Sequence, residues 1–195
     1  MVPPKNIGLF FGSFNPIHIG HMIIAEYMAD RTDLKQIWFV VSPHNPLKAR
    51  ATLANDFDRL HMVQLAVDDN PKLRASNIEF SLPKPSYTID TMAYLHEKYP
   101  DNSFSLIMGS DNLESIHKWK NYQILLERYT IHIYKRPGTE SIPSPEGSNV
   151  IFHDVPLMDI SSTFIRQSIS DGRSIRYMVP DPVYHFLDGS RLYRQ

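Results

Sequence analysis

Compact apolar runs recur along the chain, each closed by a breaker and followed by a longer stretch with apolar residues at three- and four-residue spacing. IGLFF (7–11), QIWFVV (36–41), FSLIM (104–108), TIHIY (130–134) and VIF (150–152) predict buried strands, because they are short and rich in β-branched or aromatic residues. LRASNIEF (73–80) is a weaker strand of the same kind. Segments 19–30, 55–69, 87–98 and 119–128 predict helices, with Leu60, Val63, Leu65 and Val67 falling in the second. A further helical region, ISSTFIRQSISDG (160–172), precedes a terminal surface helix in VPDPVYHFLDG (179–189).

Strands that alternate with helices and are apolar almost throughout predict an α/β fold: a doubly wound parallel sheet with helices on both faces. Its crossovers should be right-handed, and its ligands should bind outside the carboxyl ends of the strands. Three proline-rich loops punctuate the pattern: SPHNPLK (42–48), SLPKPSY (81–87) and KRPGTESIPSPEG (135–147). The last reads as a long polar surface loop rather than a linker. One domain over 1–195, with a helical C-terminal part from about 160, is the expected organisation.

Composition narrows the class without changing the fold. The chain has 195 residues, 42% of them hydrophobic and 21% charged, as in an ordinary globular protein with a substantial core. A net charge of -1 argues against whole-surface attraction to nucleic acid or membrane, and leaves room for a local anion pocket. The absence of cysteine excludes disulfides, thiolate metal sites and a cysteine nucleophile. With no secretory leader and no apolar run long enough to span a bilayer, a cytoplasmic location is the expectation. Homo-oligomerisation is left open.

The chemistry gathers at GLFFGSFNPIHIGH (8–21), where a strand hands over to a helix. Gly12 permits a tight turn and close approach of a ligand, and Pro16 ends the extended segment. The amides of the following helix start favour phosphate. His18 and His21 lie three residues apart, able to face one ligand with donors and, when protonated, with charge, while Gly20 leaves space. A helical histidine is by default an ordinary surface or core residue. Neither a zinc site nor a Walker or dinucleotide-binding glycine pattern is completed here.

The second cue is ISSTFIR (160–166). Ser161 or Ser162 can cap a helix, Thr163 lies in its first turn, and Arg166 stands one turn along, able to fork onto phosphate oxygens. Taken alone, a plain cap with a solvated arginine explains it. Two anion-ready helix starts in one α/β chain fit a triphosphate.

GSFNPIHIGH resembles the G-x-F-x-P-x-H-x-G-H signature of the nucleotidyltransferase superfamily, and ISSTFIR resembles its partner motif I-S-S-T-x-x-R. Further segments resemble the bacterial nicotinate mononucleotide adenylyltransferase family: VSPHNPLK (41–48), RLHM (59–62), EFSLPKPSYTIDT (79–91), MGSDNLESIHKW (108–119) and KRPG (135–138). Phe11 stands where that family commonly has a second glycine, and Asn15 where it commonly has aspartate. The first histidine and the tryptophan segment point away from the phosphopantetheine branch.

The resemblance implies a Rossmann-like sheet of nucleotidyltransferase type and a reaction in NAD biosynthesis: ATP and nicotinate mononucleotide give deamido-NAD and pyrophosphate. It implies that His18, His21, Lys48 and Arg166 act on the ATP phosphates. Gly12, Ser13 and Phe14 would line the adenosine side through backbone contacts, Gly20 would leave room for the ATP, and Ser161, Ser162 and Thr163 would offer caps and amides to phosphate. Gly109 and Asp111 would serve the nucleotide, Asp111 through a ribose hydroxyl. Tyr87, Thr88 and Trp119 would hold nicotinate mononucleotide, Trp119 by stacking on the pyridine ring. Mg²⁺ would come bound through the ATP phosphates, with no dedicated protein ligands. Alternatives are nicotinamide mononucleotide or phosphopantetheine as acceptor, or a catalytically silent nucleotide-binding module on the same fold.

Overall fold

The computed structural model describes residues 5–43, 53–136, 143–156 and 158–194. Among them are six strands: β1 (Lys5–Gly12), β2 (Gln36–Val41), β3 (Leu73–Ser76), β4 (Asn102–Gly109), β5 (Ile131–Tyr134) and β6 (Val150–His153). They form one sheet in the order β3-β2-β1-β4-β5-β6, with every neighbouring pair parallel. The helices are α1 (Ile19–Arg31), α2 (Asp56–Val67), α3 (Thr88–Lys98), α4 (Ser110–Glu114), α5 (Tyr122–Arg128), α6 (Ser162–Ser170) and α7 (Asp181–Asp188). The strand order is that of the doubly wound dinucleotide-binding sheet, reversing between β1 and β4.

Alternation along each strand explains why the apolar runs are continuous. In β1, Ile7 and Leu9 enter one core, while Phe10 enters the other. In β2, Trp38 and Val40 oppose Ile37, Phe39 and Val41 in the same way. One core is completed by Ala25 and Met28 of α1, Met62 and Val63 of α2, Ile165 of α6 and Val183 of α7. The other is closed by Met92 and Leu95 of α3, Leu113 of α4 and Leu125 of α5. The sheet is therefore covered on both faces.

Boundaries shift where local chemistry overrides periodicity. The weak strand at 73–80 stops at Ser76, and Ile78–Ser81 forms a 3₁₀ turn instead. The helix expected from 119 begins at Tyr122, because Asn121 adopts a left-handed conformation with φ 51°. The stretch directly after β4 winds into the short helix α4.

β5 and β6 also carry a polar pair, His132 buried and His153 half-buried. His132 Nδ1 lies 2.9 Å from His153 Nε2, and His132 is 2% exposed. Burial, and then the neighbouring His153, lower the His132 pKa from 6.5 to about 4. The unfolded chain thus binds a proton that the folded one refuses, so stability is full above about pH 6.5 and falls as pH drops toward 4. Going from pH 7 to pH 5 costs about 2 kcal/mol through this one ring. Thermal unfolding at the two pH values should show that loss in the parent and a smaller one in His132→Asn. An identical pH dependence in the variant would rule out this source.

Candidate active site

The carboxyl ends of β1 and β4 adjoin at the reversal, and their chains leave to opposite faces, α1 to one core and α4 to the other. Beyond β1, Phe14 takes a left-handed backbone conformation, φ 44°, and its ring folds back over Gly12. A Cβ at Gly12 would meet that ring at 2.7 Å. Phe14 is buried against Phe10, Phe39 and His21, which leaves only its backbone for the nucleoside contact expected of it.

His18 precedes α1, and its N–H donates to His21 Nδ1 at 3.2 Å. The two ring centroids lie 3.7 Å apart, with the planes tilted by 30°. Since Nδ1 of His21 accepts, the neutral ring carries its proton on Nε2 and offers a donor there. His18 is 6% exposed, and among the described residues its Nδ1 has no hydrogen-bond partner. Burial, and then the charge of Arg136, lower its pKa from 6.5 to about 4. With these surroundings the His18 ring is uncharged at pH 7, so the charge that the sequence reading allowed an imidazole when protonated is not in place on this ring before an anion arrives. Gly20 is likewise explained by a side chain, because a Cβ there would stand 3.1 Å from the His18 ring. One of the amides expected to be open to phosphate is already used, as Ile19 N–H donates to Met178 O at 3.0 Å.

The two sequence cues meet in space. Ser161, not Ser162, caps α6, accepting from Phe164 N–H at 3.1 Å. Ser162 Oγ donates to Pro16 O at 2.9 Å, and Arg166 Nη1 donates to Asn15 O at 2.8 Å. Arg166 Nη2 also donates to Thr163 Oγ1 at 3.2 Å. Asn15 Oδ1 accepts from Tyr193 OH at 2.6 Å and from Ala54 N–H at 3.1 Å. Residue 15 thereby joins the first loop to the C-terminal helices and to the approach to α2. Lys48 lies outside the described residues.

At the end of β4, Asp111 Oδ1 stands 3.3 Å from Arg136 Nε, and Arg136 Nη2 donates to Tyr134 OH at 3.2 Å. Gly109 is required by the same group. A Cβ on it would collide with Asp111 Oδ1 and come within 2.9 Å of Arg136 Nε.

Beside these elements lies a cavity of about 360 Å³, within the range of small-ligand sites. Gly12, Ser13, Tyr87, Thr88 and Trp119 all line it, as do Ser42, Glu79, Ser86 and Lys120. Trp119 follows a 3₁₀ turn over Ile116–Lys118 rather than opening a helix. Lys120 ties this loop to α3, pairing with Asp90 at 2.8 Å and lying 5.0 Å from the Tyr87 ring centre. Burial raises the pKa of Glu79, and the hydroxyls of Thr91, Ser42 and Ser86 pull it back down.

A family model described as cytidylyltransferase-like matches residues 9–168, which span both motifs. A protein of Flavobacterium psychrophilum is 50% identical over 191 residues, covering 97% of this chain and 99% of its own. One of Cytophaga hutchinsonii is 49% identical over 187 residues, covering 96% and 97%. Both carry the name probable nicotinate-nucleotide adenylyltransferase. The chain belongs to the nicotinate-nucleotide adenylyltransferase family. The nicotinic acid mononucleotide adenylyltransferase of Plasmodium falciparum, solved with NaAD, superimposes with a TM-score of 0.81 at 20% identity, covering 97% of each chain. That likeness carries the fold alone.

Three residues of this nicotinate-nucleotide adenylyltransferase family member had no role assigned from sequence, although each sits in a quoted family segment. Arg136 follows from the KRPG turn, and Glu79 from the segment before Ser86-Tyr87-Thr88. Arg59, in RLHM, is fully buried in α2, where hydrophobic spacing gives no reason for a charge. Its Nη1 donates to Ser13 O at 2.6 Å and Ser42 O at 2.9 Å, its Nε to Ala54 O at 3.1 Å, and its Nη2 to Asp56 Oδ1 at 2.7 Å.

Proposed function

We propose that this nucleotidyltransferase moves the adenylyl group of ATP onto nicotinate mononucleotide, releasing pyrophosphate and deamido-NAD. The observation that carries the reading is continuity. The loop that bears His18 and His21 touches α6 through Pro16 and Asn15, and lines the cavity through Gly12 and Ser13. A phosphate-handling end and an aromatic-walled end thus share one wall. The relatives' shared name supports the acceptor.

An oxygen of the acceptor phosphate attacks the α-phosphorus of ATP, and the bond from that phosphorus to the bridging oxygen of the β-phosphate breaks. The nucleophile is already anionic, so no general base is needed. What the chain supplies is alignment of two repelling anions and donors for developing charge. His21 Nε2–H is assigned to the transferring phosphoryl group, with neutral His18 beside it. Arg166, Lys48 and the amides at Ser162 and Thr163 are assigned to the β- and γ-phosphates. Trp119 stacks on the pyridine ring, and Thr88 and Tyr87 hold its carboxylate end. Gly109 and Asp111, braced by Arg136, face the adenosine. Residues 1–195 act as one catalytic unit, because α6 completes the phosphate side.

Mg²⁺ enters as a companion of the triphosphate. Bound through nucleotide oxygens and water, it would neutralise phosphate charge. No described helix is long and apolar enough to cross a membrane, and the reaction is assigned to the cytoplasm.

Pyrophosphate release with Mg-ATP tests the reading when nicotinate and nicotinamide mononucleotides are compared by kcat/KM. Preferred turnover of the nicotinate form is expected. ATP binding without release would mark a silent module, and preference for the amide would reassign the acceptor.

A further inference from the structure

The segment after α7 turns back on itself. Leu192 N–H donates to Ser190 Oγ at 3.2 Å, and Arg194 Nη2 donates to Asp188 O at 2.9 Å. Between them Tyr193 takes a left-handed backbone conformation, φ 63°. A bulky residue holds that conformation at a cost and keeps it only where its surroundings fix it. Here the ring packs against the core completed by α1, α2, α6 and α7, and the hydroxyl donates to Asn15 Oδ1 at 2.6 Å. Burial raises the pKa of the phenol by more than the charges of Arg166 and Arg59 lower it, so the hydroxyl keeps its proton and donates at neutral pH.

Asn15 is where the two motifs meet, and it is 3% exposed. Its Oδ1 also accepts from Ala54 N–H at 3.1 Å, so Tyr193 and the approach to α2 hold the side chain together. Its backbone O accepts from Arg166 Nη1 at 2.8 Å, and Thr163 Oγ1 accepts from Nη2 of the same arginine at 3.2 Å. A planar guanidinium tethered at two nitrogens has its remaining N–H groups aimed in a fixed direction. Movement of Asn15 would therefore swing that fork. We propose that Tyr193 is a positioning residue for adenylyl transfer: its hydroxyl fixes Asn15, and Asn15 aims Arg166 at the triphosphate. The inference rests on the ATP half of the reading above and not on the choice of acceptor. It brings into the phosphate site a residue 178 positions from the loop it holds.

Tyr193→Phe keeps the ring and its packing and removes only the donor. Misplacing a catalytic group by about 1 Å can cost roughly 10²-fold, so loosening one tether should lower kcat/KM for ATP by about 10-fold. Affinity for Mg-ATP, read by calorimetry without acceptor, should weaken by a similar factor, while KM for nicotinate mononucleotide stays close to that of the parent. In an Arg166→Ala background the same change should cost almost nothing more, because the group it aims is gone. Unchanged kcat/KM and affinity for ATP in Tyr193→Phe overturn the proposal, even if the melting temperature falls, since the bond is then a structural tie alone. An equal loss in both backgrounds overturns it too, by making the effect of the hydroxyl independent of Arg166. Failure of the parent to turn over nicotinate mononucleotide sinks only the acceptor assignment, because the calorimetric affinity still reads the tether. A parent that does not bind Mg-ATP sinks both.

Discussion

Replacing His21 with alanine lowers kcat for pyrophosphate release by roughly 10²- to 10³-fold and moves either KM far less. The direction follows from how the ring is held. The His18 N–H occupies Nδ1 at 3.2 Å, the His18 ring centroid lies 3.7 Å away, and the rings of Phe10 and Phe14 meet it edge to face at 6.0 and 5.1 Å. A donor fixed in this way needs no reorganisation as charge develops on the transferring phosphoryl group, and that is where preorganised donors act most strongly. Alanine removes the donor and leaves the helix, since alanine is the best helix former. Circular dichroism and melting temperature should therefore stay near those of the parent while the single-turnover rate falls. A kcat within a few-fold of the parent would remove His21 from the transition state. A large rise in KM for ATP with kcat intact would make it a ground-state contact.

The largest loss of stability is expected at Arg59. Its guanidinium is fully buried and bonded to the carbonyls of Ser13, Ser42 and Ala54 and to Asp56. Arg59→Met fills much of the volume but strands these acceptors, and breaking a buried charged network typically costs about 3–5 kcal/mol. For a chain of this length the melting temperature should fall on the order of 10 °C. Arg59→Lys keeps the charge yet cannot fork between the ends of β1 and β2, so most of the loss should remain. Thermal or urea unfolding measures it, and a melting temperature within two or three degrees of the parent would contradict the network's importance. Ser13 and Ser42 also line the cavity, so ligand affinity should weaken in both variants.

Much of the fold was legible because periodicity and burial coincide here. The strands at 7–11, 36–41 and 104–108 are short and apolar on both sides, and both sides are in fact covered, whereas the strand at 150–152 lies at the sheet edge with Ile151 exposed. Legibility failed where one residue's backbone decides, as at Asn121, or where a strand pattern gives way to a 3₁₀ turn, as after Ser76. The family was readable because its two motifs are short, contiguous stretches of fixed spacing, His18–His21 and Ser161–Arg166, which a single dimension carries whole.

Other properties arise between segments distant in the chain and leave no local trace. That Gly12 and Gly20 make room for the rings of Phe14 and His18 is a matter of side-chain packing. His18 loses its charge because folding buries it near Arg136, more than a hundred positions away in the sequence. Asn15 becomes a junction when Arg166 and Tyr193 arrive from the C-terminal part. Spacing along the chain encodes which groups can share a helix turn or a strand face, so motif and strand pattern could be read directly. Desolvation, electrostatic neighbours and the walls of the cavity depend on which turns are brought together, and the order in which the sheet is assembled decides that.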